Sequence, residues 1–142
     1  MISTSHFHPM LVHFPIALLM IGFIAELAFL FFKKTTCLSF AGFYLLIFGT
    51  LAAIAAFLTG EFFTSEMSGT AGEVKEMHEL FASVTLWTAL ATAVFRIILK
   101  ATKSENITLK WIAFMLYAIC AISVSITGFY GGNLVYNYMM PL

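Results

Sequence analysis

Four long apolar runs, joined by connectors too short to fold on their own, constrain this chain more than any other feature. They cover about Pro9–Phe32, Leu38–Phe63, Leu80–Ile98 and Trp111–Phe129, each near the roughly 20 residues that a helix needs to cross a hydrocarbon core. In lipid the backbone must pair its own polar groups, and only helices and closed barrels do so. The expected fold is all-α: an integral membrane four-helix up-and-down bundle. Residues 1–142 form a single transmembrane domain, with helices at about 9–32, 38–63, 78–100 and 110–130 and then a short outer C-terminal segment. Composition agrees, since only 10% of residues are charged, against about a quarter in soluble domains. The bilayer is the expected partner, and a chain with no net charge gives no reason to expect nucleic acid.

The first run has no Lys or Arg before it, is too long for a signal-peptide core and lacks a small-residue cleavage site, so it is expected to be retained. Cys37 lies in the first connector and Cys120 midway along the fourth run. Their different depths disfavour a disulfide, and no Cys-x-x-Cys-His run exists for covalent haem attachment.

Lys33 and Lys34 occupy the first connector, and Arg96, Lys100, Lys103 and Lys110 flank or occupy the third, whereas the second has Lys75 alone. Positive connectors stay in the cytoplasm. This places the first and third inside, and the second connector and both termini on the periplasmic side of a bacterial inner membrane. Glu61, Glu66, Glu73, Glu76 and Glu79 lie in or beside the second connector, making an acidic outer mouth that favours cations or a basic partner. An ordinary solvated loop has the same composition.

All four histidines fall at that outer end: His6, His8, His13 and His78. Ionisable groups near a bilayer are costly and therefore candidates for function. His8-Pro9-Met10-Leu11-Val12-His13-Phe14-Pro15 converges there with Thr59-Gly60-Glu61, His78 and Tyr130-Gly131-Gly132-Asn133-Leu134-Val135-Tyr136. Over nearly its whole length the chain resembles a bacterial predicted-membrane family of unknown function, the DUF2231 type, whose members begin with an HPxxVHFP-like run and end with a GGxLVY-like run. The resemblance implies an occasional association with cytochrome c modules, and with it a redox role, by analogy alone.

Helical geometry narrows which histidines meet. His78, Ala82, Thr85, Ala89, Thr92 and Arg96 recur at spacings of four and three and form one stripe of small and polar side chains. Gly49, Ala52, Ala53, Ala56 and Gly60 in the second helix, and Ala121, Ser125, Gly128 and Gly132 in the fourth, form small-residue faces suited to close packing. His78 and Arg96 stand 18 positions apart, as do His8 and Glu26, which is about five turns at 3.6 residues each. A Glu26–Arg96 pair would therefore set His8 opposite His78. By contrast His13 points about 140° away from Glu26, at about 100° per residue. It lies one turn deeper, however, which would make it the better buried of the two. Pro9 and Pro15 disturb ideal angles here, so the two assignments stay open.

Three functions compete. The first is a b-type haem or redox subunit with axial imidazoles from His78 and from His13 or His8, exchanging electrons at the outer leaflet with quinol, an outer-face cytochrome or other subunits of a respiratory complex. Haem b needs only axial ligands, a flat apolar slot and polar groups for its propionates. The second is an outer-face metal site in which His13, His78 and His8 serve as ligands, or one in which His6 and His8 hold copper with Met1, Met10, Met139 and Met140. The third is a cofactor-free assembly subunit. Hydrolase chemistry is disfavoured, because the chain has no Asp, no Gly-x-Ser-x-Gly and no phosphate loop.

Overall fold

A computed structural model describes residues 7–138. Its helices are α1 (Phe7–Leu11), α2 (His13–Phe31), α3 (Thr36–Phe63), α4 (Thr70–Ala101) and α5 (Ile107–Asn137). α1 and α2 together make one span of 25 residues, so the described residues contain four candidate membrane spans. Among them there is no strand. An even number of spans puts the two ends of the described chain on the same side, as the up-and-down expectation requires.

The first span breaks at Val12, yet Val12 still donates to the His8 carbonyl and Ile16 to the Val12 carbonyl. Pro9 and Pro15 each fall in the first turn of their helix, where the missing N–H costs nothing. The third helix starts eight residues before the expected 78, at Thr70. Thr70–Met77 is too polar to register as a membrane run, but Gly69 (φ 67°) turns the chain, Glu73 complements the helix dipole and Lys75 pairs with Glu79 one turn on. At the far end the expected non-helical segment after 130 continues α5 through Gly131 and Gly132 to Asn137. α5 begins at Ile107 because the Asn106 side chain accepts from the amides of Thr108 (2.9 Å) and Leu109 (3.3 Å).

Tight packing within two hairpins, α1–α2–α3 and α4–α5, builds the bundle, and the two hairpins then lie side by side. Without water to expel, membrane helices associate through close van der Waals contact, which favours small residues at the interface. Gly49 admits Leu19, and Gly22 admits the Tyr117 ring, whose hydroxyl would overlap any Cβ placed there. The middle of the bundle is a dry cluster of Leu19, Leu46, Ala89, Tyr117 and Cys120, all fully buried. Large apolar side chains such as Phe48, Trp87 and Phe129 face outward, as lipid contact requires.

Candidate functional site

At the end where α1 and α4 begin and α3 and α5 finish, His8 and His78 face each other. Their ring centres lie 6.1 Å apart with planes at 83°. At the opposite end, Arg96 Nη1 meets Glu26 Oε1 at 2.6 Å. Both halves of the register argument are therefore realised together.

Each imidazole is fixed in the same way. His8 Nδ1 donates to the Ala56 carbonyl at 2.9 Å, with Thr59 Oγ1 3.3 Å away, and His78 Nδ1 donates to the Thr127 carbonyl at 3.0 Å. A carbonyl can only accept, so Nδ1 carries a proton in both rings, and Nε2 of neither ring has a hydrogen-bond partner among the described residues. One turn beyond each carbonyl stands a glycine. A Cβ at Gly60 would lie 2.9 Å from His8 Cε1, and one at Gly131 would lie 3.0 Å from His78 Cε1. Only a residue without a side chain lets the ring reach the backbone at these positions. Beneath His78, Thr85 donates to Ser123 (2.9 Å) and lies 3.2 Å from the Thr127 hydroxyl, which ties α4 to α5 where the acceptor carbonyl sits.

His8 and His78 both line a cavity of about 380 Å³, whose walls also include Ala53, Val124, Glu61, Lys75 and Glu79. Lys75 is only 6% exposed. It donates to Glu79 at 2.7 Å and reaches Glu66 in the α3–α4 connector at 3.3 Å, pinning that connector beside the mouth. Hydropathy offers no sign of this clamp; the Lys75–Glu79 spacing is the one local signal that could have found it.

His13 is placed differently from its expected burial. Although it lines the cavity, it is exposed, and its Nδ1 donates to the Pro9 carbonyl of its own first turn at 2.9 Å. The helical angle outweighs depth, because the five positions from His8 turn it away from the face on which His8 meets His78. His6, Met1, Met139 and Met140 lie outside the described residues, so the copper arrangement built on them is not described. Met10 is exposed, and among the described residues no group of three or more His, Cys, Asp or Glu side chains could hold a metal ion.

The Glu26–Arg96 end is filled rather than hollow. Gly42 makes room for the Glu26 carboxylate, and Arg96 stands 5.9 Å from the centre of the Phe43 ring. Nearby Lys100 lies over Phe43 at 4.1 Å and close to Phe40 and Tyr44. Glu26 and Arg96 form an ion pair, and the buried Tyr117 hydroxyl has no hydrogen-bond partner among the described residues.

The sequence profile of a family described as a predicted membrane protein, DUF2231, matches residues 4–141. The chain belongs to that family. No curated protein matches it. No solved structure does either.

Proposed function

We propose that this DUF2231 protein is a small inner-membrane redox subunit in which His8 and His78 are the axial ligands of a b-type haem, exchanging electrons at the outer leaflet with quinol or an outer-face cytochrome. The observation that carries the reading is the pair of Nδ1–H groups held by backbone carbonyls. Histidines that bind metal are oriented in this way, with the second nitrogen left basic. His8 and His78 would each hold a metal ion at about 2.0–2.1 Å from nitrogen, and ring centres 6.1 Å apart leave room for one ion between two such nitrogens. The cavity volume lies within the range of about 300–1,000 Å³ for small-molecule sites. Its apolar floor suits a flat apolar ligand, with Lys75 at the rim beside Glu61 and Glu79. Bound there, haem would supply one-electron chemistry, and two protein ligands would leave iron no open position for oxygen.

Full-length protein purified in detergent and recorded oxidised and dithionite-reduced tests the proposal. Sharp low-spin reduced bands are expected. A featureless spectrum after growth with ample haem, together with no spectral change on adding haem to the purified protein, refutes it.

The compartment follows from the charges. Lys33, Lys34, Arg96, Lys100, Lys103 and Lys110 gather at the end opposite the histidines, which favours a periplasmic site. Thiol labelling of intact cells, in an otherwise cysteine-free background, should modify a cysteine placed at Ser68 and spare one at Ser104. The opposite pattern would move the site to the cytoplasm and remove the outer-face cytochrome as a partner.

A further inference from the structure

The two hairpins are built on one plan, which sequence identity alone conceals. Across the first helix of each, buried Pro15, Leu19 and Gly22 correspond to buried Thr85, Ala89 and Thr92 at an offset of 70 positions. Across the second, buried Gly42, Leu46, Gly49 and Ala53 correspond to buried Ala113, Tyr117, Cys120 and Val124 at an offset of 71. The functional groups follow the same rule. His8 corresponds to His78, the Ala56 carbonyl to that of Thr127, Gly60 to Gly131 and Glu26 to Arg96. Contacts agree: α2 packs on α3 as extensively as α4 on α5, and the two hairpin-to-hairpin contacts, α3–α4 and α2–α5, also match each other.

A two-fold axis along the bundle relates the halves, so a residue that touches its own counterpart lies on that axis. Two pairs do this, one at each end: His8 with His78 and Glu26 with Arg96. The cavity also straddles the axis, since its walls include Val12 with Ala82, Ala53 with Val124 and Gly60 with Gly131. His13 corresponds to Ser83, so it has no ligating counterpart. Between the first helices at this offset, over 7–31 against 77–101, histidine at 8 and 78 is the one shared residue.

We infer that the chain is an internally duplicated helical hairpin and that the ligand of this site is a single metal centre on the pseudo-two-fold axis, coordinated equivalently by Nε2 of His8 and of His78. Only in identifying that centre as haem iron does this rest on the reading above. Coordination consumes one lone pair from each half and releases no proton, because both rings already carry their proton on Nδ1.

The purified full chain, stripped of bound metal, is titrated separately with ferric haem b and with Cu²⁺. Equivalence predicts that His8→Ala and His78→Ala each turn low-spin haem high-spin, with affinity losses of at least about tenfold that agree within about threefold. Free imidazole should restore the low-spin spectrum in both, which also shows that the variants remain folded, and His13→Ala should keep it. With Cu²⁺, pulsed EPR should count two imidazoles in the wild type and one in each variant. Two-imidazole Cu²⁺ without haem binding overturns the haem assignment and upholds the axial site. Low-spin haem surviving in either single variant, or losses differing by tenfold or more, overturns the axial site and leaves the haem reading standing. Absence of haem binding together with one-imidazole Cu²⁺ in the wild type overturns both.

Discussion

The two ends of the bundle solve the problem of polar groups in a membrane in opposite ways. At one end Glu26 and Arg96 neutralise each other across packed helices, with Gly42 making room for the carboxylate and the Phe43 ring beside the guanidinium. At the other end His8 and His78 each bond through one nitrogen among the described residues and line a cavity. Charge in a tight seam contributes cohesion and register, whereas half-satisfied imidazoles beside open space contribute capacity for a ligand. Substitutions at the Glu26–Arg96 end should therefore change stability, and those at the histidine end should change binding.

The largest effect is expected at the seam. Glu26→Leu or Arg96→Leu alone strands a buried charge and should destabilise the bundle by roughly 3–5 kcal/mol in mixed-micelle unfolding, while the double apolar variant should be much milder. If the double variant is no better than the singles, the two ends are not held in register by this pair.

Gly22→Ala comes next, because the added methyl meets the Tyr117 hydroxyl and the Leu45 side chain in a packed core. It should cost about 1–3 kcal/mol, measured in the same unfolding assay; an unchanged midpoint would mean that the hairpins approach less closely there.

Removing the unpartnered hydroxyl itself, by Tyr117→Phe, should have the opposite sign. A buried donor without a partner costs about 1–3 kcal/mol, so the variant should be as stable as wild type or more so. A clear loss would show that the hydroxyl is satisfied by bound water, and that the middle of the bundle is less dry than its packing implies.

Smallest in stability is Gly60→Ala, whose methyl displaces the His8 ring at an open rim. Unfolding should shift by less than about 1 kcal/mol, near the ordinary range for changes away from the core, while haem or Cu²⁺ affinity falls. A large unfolding shift with unchanged affinity would reverse the assignment of the two ends.

Hydropathy made the four spans legible because each crosses lipid, and it missed Thr70–Met77 because those roughly two turns of polar helix project beyond the apolar run. The five-turn spacings from His8 to Glu26 and from His78 to Arg96 contained the facing of the histidines. Two prolines and the greater depth of His13 obscured it, and helix phase proved the better guide to which imidazole turns inward. The Ala56 and Thr127 carbonyls could not be read, since backbone acceptors have no residue signature. Nor could the duplication, because it is carried by which positions are buried: Leu46 and Tyr117 fill equivalent places with different chemistry.

The dry middle formed by Leu19, Leu46, Ala89, Tyr117 and Cys120 gives the molecule an electrical character. A transmembrane voltage falls mainly across such low-dielectric material, and moving one elementary charge through all of it is worth about 2.3 kcal/mol per 100 mV. A charge that enters and leaves at the histidine end crosses almost none of that drop. In the proposed redox role, electron transfer there would be blind to membrane potential and would generate none.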